Sequence, residues 1–443
     1  MPPPPAPDAA DTLIVPRWVV PVRPAGCVLE DHAVAVAGGR IVAILPADAA
    51  LARFPAAERV ILPKHVLLPG LINFHTHAAM SLMRGYADDM ALMQWLRNRI
   101  WPVEMKFVSN DFVRDGTLLA CAEMLLGGVT CMNDMYFFPE AAAEAVHQAR
   151  MRAVLGIIVV DFPSPYAADA DDYLAKGLKL RDALRDDPRI SFTIAPHAPY
   201  TVSDKTFEKA LTFADELALP IHIHLHETID EIREGVEHHG VRPLQRLHRL
   251  GLLSPSLIAV HAVHLDDEEI ALLAGHGCSV AHCPASNMKL ASGIAPVKKM
   301  LDAGINVGLG TDGAASNNRL DVFAEMRLAA LLAKVETGDA TALPAITALE
   351  MATINAARAL GLDAVIGSIE LGKQADLVAM ELAGPGLIPC FDPISHLVYV
   401  AGRENVSHVW VSGEILVENR DLRHIPLQRL EKSVLLWQNR LTA

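Results

Sequence analysis

The sequence predicts an α/β protein: a (β/α)8 TIM-type barrel with a flanking β-sandwich domain formed from both termini. First, eight short apolar runs alternate with longer segments of helical periodicity between residue 66 and about residue 361. Second, histidine or aspartate follows several of these runs, as expected where barrel strands present their carboxyl ends. Third, both flanks are rich in valine and isoleucine and contain glycine turns.

Each of the eight apolar runs has the length of a buried β-strand. The runs are Val66–Phe74, Val129–Met132, Ala153–Val160, Ile190–Ala195, Ile221–Leu225, Leu257–Val260, Cys278–Ala281 and Ile305–Leu309. The helical segments between them include Asp111–Leu126, Pro139–Arg150, Ser203–Ala218, Asp266–Ala274 and Val297–Ala303. Several begin at an N-capping residue and end at glycine. Strands that alternate with helices in this number predict a parallel barrel.

The two flanks of the barrel predict short antiparallel strands rather than β/α units. Two all-β segments at opposite ends of a barrel most simply pair into one domain. The boundaries that follow are a disordered proline-rich tail at residues 1–11, a β-sandwich domain from residues 12–65 and 367–443, and the barrel at residues 66–366.

Composition argues against several classes of protein. The formal net charge is −14, from 38 basic and 52 acidic residues, so a nucleic-acid polymer is not an expected ligand. Hydrophobic residues make up 51% of the chain without an uncharged run long enough to span a bilayer, so no membrane partner is expected. The proline-rich start lacks the features of a signal peptide, and the six cysteines are scattered. These features favour a cytoplasmic protein.

Two histidines, His75 and His77, close the first apolar run at positions i and i+2. Because side chains alternate along a strand, both imidazoles are expected on one face, where they can bind one metal ion. The fifth run contains His222 and His224 and is followed by His226, and alternation also places these three on one face. The pattern therefore leaves open which of these three is a ligand.

Asp312 follows the eighth run after a Gly-Thr pair. A lone aspartate there would usually cap a helix, but the convergence of histidines on the same barrel end favours a ligand. Three imidazoles and one carboxylate suit Zn²⁺ or a similar divalent ion and leave at least one position for water.

Several segments resemble the amidohydrolase superfamily. They are Leu-Pro-Gly-Leu-Ile-Asn-Phe-His-Thr-His at 68–77, His-Leu-His-Glu at 224–227 and Gly-Thr-Asp-Gly-Ala-Ala-Ser-Asn-Asn at 310–318. The chain more closely resembles the 5-methylthioadenosine/S-adenosylhomocysteine deaminase family. The segments Trp-Pro-Val-Glu at 101–104, Ala-Pro-His-Ala-Pro-Tyr at 195–200 and Pro-Ala-Ser-Asn-Met-Lys-Leu at 284–290 fit that family.

The resemblance implies one divalent metal ion, with Zn²⁺ the expected one. The implied metal ligands are His75, His77, His224 and Asp312. Binuclear members of the superfamily bridge two metals with a modified lysine after the fourth strand. This chain has His197 there and no lysine between residues 190 and 202, which favours a single ion.

The resemblance also assigns roles in catalysis and substrate binding. The implied catalytic residues are Glu227, His261 and Asp312, and the implied substrate-binding residues are Glu104, His197, Glu227 and Asp312. Glu227 would transfer protons and His261 would lie beside the attacking water. His264 and His282 also lie near strand ends, but neither is an expected ligand.

The implied function is hydrolytic deamination of an adenine nucleoside to the inosine analogue and ammonia. The first expected substrate is 5′-methylthioadenosine, with adenosine also accepted and S-adenosylhomocysteine used more weakly. Guanine deaminase or a triazine-type hydrolase on the same barrel is the alternative, and Glu104 as a ribose-binding carboxylate would separate the two. The expected partner is a small-molecule nucleoside, and the sequence is compatible with a homo-oligomer.

Overall fold

The computed structural model describes residues 9–442, so residues 1–8 of the predicted tail lie outside the described residues. The strands, in chain order, are β1 (Thr12–Val19), β2 (Leu29–Glu30), β3 (His32–Ala37), β4 (Arg40–Pro46), β5 (Glu58–Pro69), β6 (Leu71–Thr76), β7 (Val129–Asp134), β8 (Arg152–Val159), β9 (Ile190–Pro196), β10 (Ile221–Leu225), β11 (Leu257–His261), β12 (Ser279–His282), β13 (Asn306–Leu309), β14 (Leu377–Glu381), β15 (Val406–Val411), β16 (Glu414–Glu418) and β17 (Asp421–Leu422).

The α-helices, in chain order, are α1 (Ala47–Arg53), α2 (Leu92–Trp95), α3 (Trp101–Phe107), α4 (Asn110–Leu126), α5 (Pro139–Ala149), α6 (Ala170–Leu184), α7 (Asp204–Leu217), α8 (Ile229–His239), α9 (Pro243–Arg249), α10 (Asp267–Gly275), α11 (Pro284–Lys289), α12 (Val297–Asp302), α13 (Ala314–Asn317), α14 (Val322–Thr337), α15 (Ala345–Met351), α16 (Ile354–Ala359), α17 (Pro393–Tyr399) and α18 (Leu427–Thr442). Two short 3₁₀ helices (Ala78–Met83 and Arg403–Asn405) and a π-helical turn (Leu96–Ile100) complete the set. None of the helices described in residues 9–442 combines the length and apolarity needed to cross a membrane.

Strands β6 to β13 form one parallel sheet in sequential order, which confirms the predicted barrel. The two outermost strands, β6 and β13, lie against each other, so the sheet nearly closes. Helices follow most of the strands and cover the outside of the barrel. The strands are therefore buried on both faces, and their sequences are continuous apolar runs.

The first predicted run proves to be two strands. Val66–Pro69 is the end of β5 and pairs with β14, and the barrel strand begins only at Leu71. Gly70 separates them: a Cβ at this position would lie 2.0 Å from Oγ1 of Thr130. The hydrophobic pattern of the sequence shows the two strands as one run, because both are buried and no polar residue marks the boundary between the two sheets.

The flanking unit is one nine-stranded mixed sheet built from both ends of the chain, which confirms their predicted pairing. Its strands lie in the order β17-β16-β15-β14-β5-β1-β3-β4, with β2 paired to β1. The β5–β14 ladder joins the N-terminal half to the C-terminal half in antiparallel register. After this sheet, α18 returns to the barrel, where the Trp437 indole donates to Asp115 of α4 at 3.0 Å.

A buried ion pair connects the barrel to the terminal sheet. Arg152, at the start of β8, donates from Nε and Nη2 to the two carboxylate oxygens of Asp376 at 2.9 and 3.2 Å. Both side chains are at most 4% exposed. Asp376 also accepts from the backbone N–H of Ser412 at 2.7 Å. Such a pair costs desolvation energy on folding, but removing one partner leaves a charge buried without compensation.

We therefore predict that Asp376→Asn lowers the free energy of unfolding by about 3–5 kcal/mol, because the Arg152 guanidinium keeps its charge and loses its carboxylate. Equilibrium denaturant unfolding measures the change. The matched control is Glu30→Gln, which removes one partner of the exposed Arg17–Glu30 pair and should cost about 0–1 kcal/mol. A loss for Asp376→Asn no greater than for the control would contradict the prediction.

Candidate active site

Four potential metal ligands converge at the carboxyl end of the barrel. The group comprises His75 at the end of β6, His77 just beyond it, His224 in β10 and Asp312 beyond β13. One donor atom from each lies within 4.8 Å of the donor atoms of the other three. The Nε2 atoms of His75 and His77 lie 3.3 and 3.2 Å from Oδ1 of Asp312.

The histidine rings are oriented for metal binding by their other nitrogen. The Nδ1 atoms of His77 and His224 lie 2.5 and 2.8 Å from backbone carbonyl oxygens, so they carry the proton and donate it. This leaves both Nε2 lone pairs facing the centre of the group. The Nε2 atom of His75 is buried and has no hydrogen-bond partner. A divalent cation would satisfy these donors, so the residues present fit such an ion.

Asp312 is fixed in place by its surroundings. Its Oδ2 atom accepts from the hydroxyls of Ser286 and Ser316, each at 2.6 Å, and its Oδ1 atom accepts from the N–H of Gly313 at 2.8 Å. Its backbone is left-handed, with φ of 62°. Its N–H donates to the carbonyl oxygen of His75 at 3.0 Å. These contacts direct Oδ1 toward the histidines.

Glu227 and His261 face each other beside the metal-ligand group. The Nε2 atom of His261 lies 3.7 Å from Oε2 of Glu227, and its Nδ1 atom lies 2.8 Å from Oδ1 of Asn287. The amide oxygen of Asn287 can only accept, so Nδ1 of His261 carries the proton and Nε2 is left as the acceptor. Burial raises the pKa of Glu227 to about 7. A carboxyl group of that pKa can both give and take a proton at neutral pH.

Two further predicted residues line the same cavity. Glu104, on α3, accepts a 2.7 Å hydrogen bond from the Tyr136 hydroxyl, and burial raises the pKa of Glu104 to about 7. His197, just after β9, packs its ring 4.8 Å from the ring of His224. Burial lowers the pKa of His197 to about 3, which keeps its imidazole neutral. Its Nδ1 atom lies 3.1 Å from the hydroxyl of Thr201.

The cavity has a volume of about 290 Å³ and a largely apolar wall. The apolar side chains that line it are Met80, Leu92, Trp95, Leu96, Ile100, Trp101, Met105, Met135, Tyr136, Phe137, Ile158, Val160, Phe162, Pro165, Tyr200 and Leu290. Among the described lining residues there is no lysine or arginine. Near neutral pH, the charge of the cavity lining within residues 9–442 comes from the carboxyls and histidines of the site.

The structure distinguishes the three histidines in and just after the fifth run. His222 and His224 both point into the barrel, but His222 approaches Nδ1 of His75 at 3.0 Å rather than the ligand centre. The expectation that His226 shares their face is wrong. The strand ends at Leu225, and a φ of 54° at His226 turns its ring outward to accept from the N–H of Leu244.

Neither remaining histidine belongs to the ligand group. His264 directs Nε2 to the carbonyl oxygen of Ser292 at 2.8 Å. His282 is buried at the end of β12.

Several residues that complete the site were not predicted to act in it. They are Tyr136, Ser286, Asn287 and Ser316. Three of them lie inside segments 284–290 and 310–318, which resemble the deaminase family, but the resemblance alone assigns these side chains no role. Tyr136 follows the end of β7, and that strand-end position was the one available signal for it.

Comparisons with known proteins agree with this geometry. The model of the amidohydrolase family matches residues 66–416. A 5-methylthioadenosine/S-adenosylhomocysteine deaminase of Teredinibacter turnerae is 49% identical over 96% of both chains. A crystal structure of an adenosine deaminase from Xanthomonas campestris with bound zinc is 48% identical, with a TM-score of 0.97 over 98% of this chain and 99% of that one.

A more distant structure, atrazine chlorohydrolase from Arthrobacter aurescens complexed with zinc, is 25% identical. Its TM-score is 0.89 over 96% of this chain and all of the other. The family model covers most of the chain, and the relative from Teredinibacter turnerae aligns along almost its whole length. The chain therefore belongs to the amidohydrolase family, in the branch of the 5-methylthioadenosine/S-adenosylhomocysteine deaminases.

Proposed function

We propose that this chain is a hydrolase that deaminates adenine nucleosides, with 5′-methylthioadenosine preferred, and that it binds one divalent metal ion, Zn²⁺. The observation that carries the proposal is the convergence of three imidazoles and one carboxylate beside a buried Glu227 in one cavity. The relatives named above support both the reaction and the ion. We also propose a cytoplasmic location, which the free state of the cysteines in the described chain favours.

The proposed metal ligands are His75, His77, His224 and Asp312. A bound divalent ion supplies Lewis-acid activation of water, lowering its pKa from 15.7 toward about 7. The protein contributes the orientation of that site. The histidine Nδ1 protons are committed to other acceptors, and two serine hydroxyls occupy Oδ2 of Asp312, so Oδ1 is the carboxylate oxygen left facing the histidines.

Proton transfer is the proposed role of the residues beside the ligands. Asp312 accepts the proton of the attacking water. Glu227, partly protonated at neutral pH because burial raises its pKa to about 7, donates its proton to a purine ring nitrogen. It then takes the proton of the added hydroxyl and passes it to the amino group, which leaves as ammonia, and the proton held by Asp312 restores Glu227. His261, whose Nε2 is an acceptor, orients the water for attack on the carbon that bears the amino group.

Glu104 is the proposed ribose-binding residue, and His197 the proposed second contact to the substrate. The Tyr136 hydroxyl occupies Oε1 of Glu104 and fixes the plane of the carboxyl group. A carboxylate held in this way can accept hydrogen bonds from two ribose hydroxyls. Free bases and triazines have no ribose, so in a guanine deaminase or triazine hydrolase the Glu104 carboxyl would keep the Tyr136 hydroxyl but would find no ribose hydroxyl to bind.

The proposed ligands are tested by His75→Ala and Asp312→Ala. Each change should abolish turnover and lower metal content, because an incomplete set of ligands binds the ion weakly and fails to activate water. Elemental analysis of the purified protein and an ammonia-release assay measure the two effects. His264→Ala is the control and should change neither. Full activity in metal-replete Asp312→Ala would remove Asp312 from the site.

Glu227→Gln separates proton transfer from metal binding. The amide has the same shape but cannot exchange the proton, so kcat should fall by at least about 10²-fold while metal content stays at the wild-type level. The same two assays provide the measurement. Loss of the metal would show instead that Glu227 is a ligand.

The lining of the cavity predicts the order of substrates. The segment after β8 has no arginine from residue 161 to residue 174, and its nearest lysine, Lys176, donates to Asp172 at 2.9 Å. The carboxylate of S-adenosylhomocysteine would lose hydration there without a basic partner. One missing charge-assisted hydrogen bond is worth roughly 1.5–3 kcal/mol, or about ten- to a hundredfold in specificity.

We therefore expect kcat/KM to be highest for 5′-methylthioadenosine, comparable or lower for adenosine, and lowest for S-adenosylhomocysteine. The methylthio group is small, neutral and apolar, and the apolar wall with its methionines accepts it without such a cost. Competition kinetics with the three nucleosides in one reaction tests the order. S-adenosylhomocysteine as the best substrate would overturn it.

A further inference from the structure

Glu231 occupies the first turn of α8, immediately after the strand that leads to Glu227. Its Oε1 atom accepts from the backbone N–H of His226 at 2.9 Å, and its Oε2 atom accepts from the backbone N–H of Glu227 at 2.8 Å. The side chain is buried. The two carboxylate oxygens thus accept from two consecutive N–H groups, one each. One of these N–H groups belongs to Glu227, the proposed proton-transfer residue.

The two N–H groups point to one carboxylate because the backbone between them is bent. In an extended strand, successive N–H groups face opposite sides. The left-handed conformation of His226, with φ of 54°, turns them to the same side and forms an anion-binding concavity. That conformation is strained for a residue with a Cβ atom. The bend therefore needs bonds that exist only in the bent state, and Glu231 provides two.

The same bend separates the two side chains that it carries. The ring of His226 turns away from the cavity, where Nε2 accepts from the N–H of Leu244 at 3.1 Å and Nδ1 lies 3.5 Å from the Glu269 carboxylate. Glu227 instead lines the cavity and faces His261. Without the bend, strand alternation would direct residue 226 into the barrel and residue 227 away from it.

We propose that Glu231 is a positioning residue for the deamination, holding the bent backbone that directs the Glu227 carboxyl into the cavity. The inference rests on the proposed role of Glu227. Glu231 neither lines the cavity nor belongs to the group of potential metal ligands, so its removal should slow the chemical step without weakening binding of the nucleoside or of the ion.

The decisive substitution is Glu231→Gln. The glutamine oxygen can still accept from one N–H, but its amide NH₂ then faces the other N–H donor to donor. Glu231→Ala leaves both buried N–H groups without an acceptor and should have the larger effect. Glu237→Gln makes the same chemical change on the exposed surface of the same helix and serves as the matched control.

For Glu231→Gln we expect kcat to fall about tenfold, with KM within about twofold and metal content unchanged, since only the orientation of a general acid is disturbed. For Glu231→Ala the expected fall is about hundredfold. Glu237→Gln should match the wild type. A wild-type kcat for Glu231→Gln while Glu227→Gln is slow would overturn the inference and leave the proposed function intact.

A double-mutant cycle separates positioning from a general structural role. If Glu231 acts through Glu227, adding Glu231→Gln to Glu227→Gln should change kcat by less than about twofold, because the positioned group is already gone. An equal fractional loss in both backgrounds would overturn the inference. Wild-type turnover in Glu227→Gln alone would overturn the proposed role of Glu227, and this inference with it.

Discussion

The close approach of β13 to β6 is the constraint on which the site depends. A Cβ atom on Gly310 would lie 2.7 Å from the backbone nitrogen of His75, so only glycine allows the chain to pass there. Just beyond it, Asn73 and Thr311 are joined by two hydrogen bonds at 2.8 and 2.9 Å. This contact brings the first and last strands of the barrel together. It places Asp312 against His75 and His77 at the end of β6, although more than two hundred residues separate them in sequence.

Around this centre, three buried carboxyl groups differ in their hydrogen bonds and therefore in their protonation. Asp312 accepts hydrogen bonds on both oxygens from two serines and a backbone N–H, which favour the ionised form. Glu104 accepts one hydrogen bond from a hydroxyl, and the Glu227 carboxyl lies 3.7 Å from Nε2 of His261. Burial dominates for these two and raises both pKa values to about 7. Asp312 is thus suited to bind a metal ion, and Glu227 is suited to exchange protons.

The sequence predicted the barrel well because its strands are buried on both faces and end in polar residues. The same reasoning brought His75, His77 and Asp312 to one end of the barrel, since parallel strands share one end of the sheet. The choice of His224 among the neighbouring histidines came from the family resemblance. Prediction from the sequence failed where the backbone departs from a regular strand or helix repeat. Alternation could not show that His226 turns away, because a single left-handed residue ends the alternation. Periodicity also could not pair Tyr136 with Glu104, which come from different β/α units.

The first turns of α8 and α10 show how far a local motif determines its own contacts. Both helices begin with a capping-box pattern, Thr228-Ile229-Asp230-Glu231 in one and Asp266-Asp267-Glu268-Glu269 in the other. In α10 the glutamate binds back to the N–H of the N-cap residue, as the motif predicts. In α8 the threonine caps the helix, but the glutamate reaches past it to the end of the strand. The difference comes from the left-handed conformation of His226, which turns two N–H groups to the same side. The Glu231 carboxylate can accept a hydrogen bond from both, whereas the N-cap residue would offer one.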